Sequence, residues 1–503
     1  MKKKNILLLL TDEQRYDSLG CTGNNCVRTP NIDNLAKEGC NFSRHITANS
    51  VCMPSRASLT TGLFIPGHGV YANGIPLWRR DNNCPDINSV MCENRYGMKV
   101  PDRVPTMADI LSENGYSTAL FGKLHAESTL ADPSYKLRGS TQIWEKEETE
   151  YINEPYYGFQ HIKCIISHGE NTLEYTNGHY GRYMQREHPE VISDLKNHIQ
   201  PEGVSMGGVY PSKVPMELHN SIWLAEQTCD YIDTHKDDEK PMFMFVGFPD
   251  PHAAIVPPEE IAKEFENVDV PEFPPYDERF EKKTRGAKET ISRLQKDKKS
   301  IEMAWRYTQA SVSLVDIAVG KIIQKLKDEG LYDDTIIVFS ADHGDFLGDY
   351  GAILKGDQPF MSLVHVPFVL KPQKDYIIPE KYDYPMSNAD VLPTLFNMVD
   401  VPVPFSVQGV DIFKNGEGNM PMTTCFNMTG VDRNISIFDE KYRYTYVVDT
   451  GEEELYDHIN DKYELENLAV LPEYRKTCDD LRAKVMLKHV QSNSGLFGYY
   501  GVW

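Results

Sequence analysis

Ile6-Leu7-Leu8-Leu9-Leu10, running straight into Thr11-Asp12-Glu13, is the stretch whose reading decides the fold class. Five consecutive apolar residues do not alternate as a strand with one wet face would, and they are too few for a buried helix. They fit a parallel strand covered on both sides. Lys2-Lys3-Lys4 in front resembles the basic start of a secretory signal, but the apolar run is short and no small-residue cleavage site follows. Nothing later approaches the length of a membrane span. The expectation is a buried first strand in a cytoplasmic protein with no membrane contact.

Working outward, the same kind of strand recurs between helical patterns. Thr106 to Gly115 reads as a short helix ending in Gly, followed by the strand Tyr116-Ser117-Thr118-Ala119-Leu120-Phe121. Ser221 to His235 reads as a helix feeding an apolar strand, Met242 to Phe248. Ala304 to Leu326 carries Val312, Val315, Val319, Ile322, Ile323 and Leu326 at helical spacing and leads to the strand Thr335 to Ser340. This alternation predicts an α/β fold with a large, mainly parallel mixed sheet flanked by helices. Reactive groups in such sheets sit beyond the carboxyl ends of the strands. Here three strands end in Thr11-Asp12-Glu13, Pro249-Asp250-Pro251-His252 and Ala341-Asp342-His343-Gly344, and a fourth is followed by Gly122-Lys123-Leu124-His125.

The chain has 503 residues, too many for one ordinary core, so one large and one small domain are expected. We place a catalytic domain at 1–414 and a small C-terminal domain, an antiparallel sheet plus a helix, at 415–503. Tyr442 to Val448 alternates as a strand, Glu454-Leu455-Tyr456 can pair with it, and Pro472 to Val490 reads as a capping helix. Between 126 and 215 the periodicity weakens into a polar and aromatic stretch containing Trp144, Tyr151, Tyr156, Tyr157, Tyr175, Tyr180 and Tyr183, read as a variable insertion that lines a substrate pocket. The basic segment Lys282 to Lys299 reads as a solvated helix face.

A net charge of −22 repels phosphate backbones and anionic lipid, which excludes general nucleic-acid and membrane affinity; an anionic substrate must be attracted locally. The ten cysteines are dispersed without a CxxC pair or a Cys/His cluster, so most are expected to be reduced, buried, small apolar residues.

Cys52 is the exception. In Cys52-Met53-Pro54-Ser55-Arg56-Ala57-Ser58-Leu59-Thr60-Thr61-Gly62 the sequence resembles the sulfatase family, whose signature is Cys or Ser, any residue, Pro-Ser-Arg, then Leu-x-Thr-Gly at this spacing. The resemblance runs from Lys4 to about Leu471. It takes in Thr29 to Ala36, Gly115 to His125, and Glu454-Leu455-Tyr456-Asp457 through Glu466-Asn467-Leu468-Ala469, and it is weakest at 126–215.

The resemblance implies an alkaline phosphatase/sulfatase-like fold and a sulfuric ester hydrolase whose Cys52 is oxidised by a maturase to formylglycine. It implies a divalent metal held by Asp12, Glu13, Cys52, Asp342 and His343, with calcium first from the oxygen-rich donors and magnesium or manganese also compatible. Glu13 stands where many sulfatases have a second Asp. Arg56 and Lys123 would orient the nucleophile and offset sulfate charge, and His125 would be the base. His252 and Lys355 would serve the leaving alcohol. Ala253-Ala254 departs from the family's usual His or Pro after His252.

The expected partners are a small sulfated substrate, either a sulfated sugar or an aryl or alkyl sulfate, and the formylglycine-generating maturase. The rival is a phosphonate or phosphate ester hydrolase of the same superfamily, against which Lys123 and His125 favour sulfate. A non-catalytic binding protein would be expected to have lost the nucleophile or a ligand, and neither is missing.

Overall fold

The computed structural model describes residues 4–79, 103–132, 135, 137–146, 155–166, 177–415, 420–426 and 433–493. In it the opening apolar run lies in the strand Asn5–Asp12, at the centre of an eight-stranded sheet. The order across the sheet is Lys381–Tyr382, Cys40–Phe42, Phe368–Lys371, Thr335–Ala341, Asn5–Asp12, Met242–Pro251, Ser117–Gly122 and His161–Cys164. Every neighbouring pair is parallel except those of Phe368–Lys371, which runs against both of its neighbours.

The unbroken run of Leu follows from this position. Ile6, Leu8 and Leu10 enter a core with Met53, Ala57, Leu392 and Leu395, whereas Leu7 and Leu9 enter the opposite core with Leu224, Val315, Val319 and Ile322. Both faces are dry, so alternation has nothing to encode. Each such side chain contributes about 1.5–3 kcal/mol on burial.

The helices lie close to their sequence readings. Met107–Glu113 is capped by Thr106, whose Oγ1 accepts from Asp109 N at 3.2 Å while Thr106 N donates to the Asp109 carboxylate at 2.8 Å. Asn220–His235 precedes Met242–Pro251. The longest helix, Lys298–Asp328, begins six residues before its apolar pattern because Asp297 caps it, accepting from Ser300 N at 2.9 Å.

Two readings need correction. The stretch 126–215 is not only an insertion: His161–Cys164 is an edge strand of the main sheet, and Gly178–Glu187 is a helix packed beside it. Tyr151 and Tyr175 lie outside the described residues, as do Lys2 and Lys3. The basic segment Lys282 to Lys299 is also not wholly a solvated face. Arg285–Leu294 is an amphipathic helix with Ala287, Ile291 and Leu294 inward, but Lys283 just before it is buried.

At the C-terminus, Met422–Phe426, Arg433–Phe438, Tyr442–Val447 and Glu453–Asp457 form a separate antiparallel sheet with sequential neighbours. The helix Arg475–Ser492 covers it through Cys478, Leu481 and Val485. The same apolar cluster includes Ala48, Phe64 and Ile65, which flank the helix carrying Cys52. Among the described residues no helix is long and apolar enough to cross a membrane. The eight described cysteines are all free, and Cys40, Cys52, Cys164, Cys425 and Cys478 are buried; Cys84 and Cys92 lie outside the described residues.

Candidate active site and metal centre

Cys52 is the first residue of the helix Cys52–Thr61, which the extended residue Val51 introduces and Gly62 closes with a left-handed backbone at φ 68°. All ten residues of this helix are buried. A helix with no exposed face is held by its partners. Ser55 Oγ donates to Asp342 O, and Asn388 Nδ2 donates to Ser55 O at 2.9 Å. These bonds fix the Cys52 end of the helix against the end of the Thr335–Ala341 strand.

The strand ends then converge. Asp12, Cys52, Asp342 and His343 each bring one ligand atom into a group whose members lie within 4.8 Å of one another, all from buried residues. Cys52 Sγ is 3.1 Å from His343 Nε2 and 3.6 Å from Asp12 Oδ1. The His343 Nδ1 donates to Gly344 O at 2.9 Å, which leaves Nε2 as a lone-pair donor toward the group. Two carboxylates and one imidazole in a dry pocket suit a hard divalent cation, so the donors present fit the metal that the sequence implies.

Cations hold these carboxylates in place. Arg56 Nε donates to Asp342 Oδ2 at 2.7 Å, and its Nη2 lies 3.3 Å from Asp12 Oδ2. Arg56 Nη1 donates to the Lys123 carbonyl at 2.7 Å, and Lys123 Nζ is ion-paired with Asp12. Burial opposes the charge of Asp12, but Lys123, His252, Arg56 and His343 outweigh it and hold the carboxyl well below the usual range.

Glu13, read as a ligand, stands beside this group. Its backbone turns into the left-handed region at φ 64°, and its carboxylate lies outside the four-donor group. Oε2 meets Lys355 Nζ at 2.8 Å and His252 Nε2 at 3.0 Å, while Oε1 is buried and has no hydrogen-bond partner among the described residues. The longer side chain carries Oε2 to Lys355 and His252. Burial disfavours charge on all three, but Glu13 attracts both cations, and Cys52, then Glu13 and Asp12, act on Lys355. Glu13 is held down, His252 is raised with Glu13 the main counterweight, and Lys355 is held firmly protonated.

His125 has a left-handed backbone at φ 56°, and its buried Nδ1 has no hydrogen-bond partner among the described residues. Burial, then Lys123, lowers its pKa well below the usual value, so the ring is neutral at neutral pH. The sequence-predicted residues therefore meet in one place. Sequence reasoning missed Ser55 and Asn388 as braces, and also Asp345. Asp345 Oδ1 accepts from Leu347 N at 2.6 Å and Leu354 N at 2.8 Å, folding the loop that delivers Lys355. The short spacing Asp342-x-x-Asp345 was its one visible signal.

The profile of the Sulfatase family matches residues 4–401. The chain belongs to the sulfatase family. It is a sulfuric ester hydrolase with a sulfatase-like fold. An arylsulfatase of Clostridium perfringens is 26% identical over 97% of this chain and 95% of its own length. An N-acetylglucosamine-6-O-sulfatase of Bacteroides thetaiotaomicron is 23% identical over 95% of this chain and 85% of its own. Among solved structures, the phosphonate monoester hydrolase of Agrobacterium radiobacter superposes with a TM-score of 0.70 at 22% identity, covering 97% of this sulfatase and 96% of that chain. A structure in complex with D-glucosamine-2-N,6-O-disulfate superposes at 0.67 and 20% identity, covering 98% and 99%.

Proposed function

We propose that this sulfatase cleaves small sulfate esters with an oxidised Cys52 as nucleophile. The observation that carries the reading is the placement of Cys52 Sγ inside the donor group of Asp12, Asp342 and His343, with Arg56 and Lys123 holding both carboxylates. Converted by a maturase to formylglycine, the residue supplies a hydrated aldehyde, one hydroxyl attacking sulfur and the other, once deprotonated, expelling sulfate. A divalent ion, calcium first and magnesium or manganese by the same donors, would be held by Asp12, Asp342, His343 and the oxygen replacing Sγ, with Glu13 Oε1 as a further candidate, and would neutralise sulfate charge.

The chain's other groups fit the remaining tasks. The neutral ring of His125 can take a proton from the second hydroxyl. His252 Nε2 and Lys355 Nζ, gathered on Glu13 Oε2, can deliver a proton to the bridging oxygen as the alcohol departs. Arg56, Lys123 and Lys355 balance Asp12, Glu13 and Asp342, so a bound divalent ion makes the pocket positive within a chain of net charge −22.

The substrate class is a sulfated sugar or a small aryl or alkyl sulfate. The names of the glucosamine-sulfatase relative and of the disulfate complex support the sugar. Specificity belongs to 126–215 and the C-terminal residues from about 415.

The test uses protein whose Cys52 conversion has been measured by peptide mass. It is assayed on matched aryl sulfates and aryl phosphonates, then on sulfated mono- and disaccharides. Faster turnover of the phosphonates would replace this reading with phosphonate ester hydrolysis.

A further inference from the structure

Lys355 reaches the site from an unusual loop. Between Asp345 and Leu354 the backbone is pinned by Phe346 N donating to Leu354 O at 3.1 Å and by Gly348 N donating to Ala352 O at 2.8 Å. Three non-glycine residues in it, Leu347, Tyr350 and Leu354, have φ of 42°, 58° and 72°. L-residues avoid that region, so such a loop keeps its shape only when its surroundings over-determine it.

Earlier segments supply part of those surroundings, Tyr350 N donating to Pro274 O at 2.9 Å, Ile353 N to Leu294 O at 3.2 Å and Arg15 Nη1 to Phe346 O at 2.7 Å, and the C-terminal part of the chain supplies the rest. Tyr350 Oη donates to Tyr463 O at 2.5 Å. Just beyond Lys355, Met361 N donates to Glu464 Oε2 at 3.1 Å. The other oxygen of Glu464 takes Arg443 Nε, from the C-terminal sheet, at 2.5 Å and His458 Nε2 at 3.1 Å. The Glu464 carbonyl takes the buried Lys283 ammonium at 2.5 Å, and that ammonium also donates to Tyr456 Oη at 2.9 Å. Around Lys283 stand the rings of Tyr456, Phe280, Phe360 and Tyr350 at 4.3, 5.0, 5.3 and 5.8 Å, an internal cation–π cage whose last two walls flank Lys355 in sequence. Burial opposes charge on Glu464, but Arg443 and His458 outweigh it and hold the carboxyl down at about 2. A buried carboxylate with this many donors is specific in geometry, and nothing in the catalytic reading uses it.

We propose that Glu464 is a positioning residue for Lys355, locking the 345–360 loop to the C-terminal sheet so that the lysine ammonium is held at the leaving-group oxygen. The C-terminal sheet then contributes to turnover by setting the geometry of proton delivery, not by touching substrate. This rests on the leaving-group role assigned to Lys355.

A purely structural role and a positioning role differ in one readout. Loss of fold or of active fraction lowers the rate on every substrate alike. Misplacing the leaving-group acid hurts poor leaving groups and spares good ones, which need little protonation.

The experiment measures kcat/KM of converted, metal-loaded enzyme along a series from 4-nitrophenyl sulfate to phenyl sulfate. It compares the parent with Glu464→Gln, Tyr350→Phe and Lys355→Ala, checking each for fold by circular dichroism. The expected result for Glu464→Gln is a loss of about tenfold or more on phenyl sulfate with less than about threefold on 4-nitrophenyl sulfate, in the same direction as Lys355→Ala. Tyr350→Phe, which removes one hydroxyl and keeps the ring, should show a smaller change of the same kind and stands in if Glu464→Gln does not fold. Equal losses along the series, or none, in the folded variants while Lys355→Ala is steep would overturn the positioning. A Lys355→Ala profile parallel to the parent would instead overturn the leaving-group role, and the positioning with it.

Discussion

Asp342 serves three partners at once, which shapes how it can be tested. One oxygen accepts from Glu13 N at 3.1 Å and His343 N at 2.8 Å, and the other pairs with the buried Arg56. Removing the carboxylate leaves Arg56 half-compensated in a dry site, a defect that costs about 3–5 kcal/mol in buried pairs. Asp342→Ala should therefore abolish turnover and also lower the melting temperature by several degrees. Asp342→Asn keeps an acceptor for the two backbone donors and should abolish metal binding at smaller cost in stability. Calorimetric calcium titration and thermal melts on both variants check this; near-normal turnover in folded Asp342→Asn would remove the residue from the ligand set. At Cys52 the expected dependence is on chemistry and not on packing. Attack on sulfur by a thiolate leaves an adduct with no second hydroxyl to expel sulfate. Activity should rise in proportion to the fraction of Cys52 converted when a maturase is co-expressed, and Cys52→Ala should be inactive throughout. Full activity with only unmodified Cys52 in the peptide mass spectrum would end the proposed mechanism.

The strand that delivers Lys123 depends on a close backbone approach. Gly122 sits at φ 86°, and a Cβ there would lie 2.1 Å from the Gly247 carbonyl of the neighbouring strand. A Cβ on Gly247 would in turn lie 2.1 Å from the Lys123 carbonyl, the same oxygen that accepts from Arg56. Gly122→Ala must push the strands apart beside the site, at about 1–3 kcal/mol or more from overpacking and the unfavourable φ. It should reduce kcat by at least about tenfold, because displacing catalytic groups by an ångström has that order of effect. Steady-state kinetics with a melt at matched protein concentration would decide, and an enzyme unchanged in both would show that the strands can separate without moving Lys123. The strand ends themselves were legible as polar clusters after apolar runs. The edge strand His161–Cys164 was not, because its half-buried alternation spans four residues within a polar stretch, too short for periodicity to register.

Taken whole, the fold also buries imidazoles as neutral groups outside the four-donor group. Burial pushes His45 and His68 down to about 3, with His365 adding to the shift at His45. A histidine depressed in the folded state contributes stability that is fully present above its unfolded value near 6.5 and is lost as pH falls toward the folded value. At about 1.4 kcal/mol per unit, each is worth on the order of a few kcal/mol across that window. The melting temperature should thus be flat above pH 7 and decline steadily between pH 6.5 and 4. A flat profile down to pH 4.5 would mean that these rings are solvated or ion-paired in the native state.

The sequence by itself determined the α/β class, the central strand, the candidate nucleophile Cys52 and the residues gathered around it. Each of these is written locally: an apolar run dry on both faces, a polar cluster at its carboxyl end, an eleven-residue signature from Cys52 to Gly62. Tertiary structure alone decided that Glu13 Oε2 pairs with Lys355 and His252, that Lys283 is a buried clamp and not a solvated lysine, and that Ser55, Asn388 and Asp345 brace the centre. No local pattern could have said so. Whether a charged side chain is solvated or buried depends on which groups from distant segments reach it, and Lys283 meets Glu464 across 181 positions of chain, where sequence spacing carries no distance information.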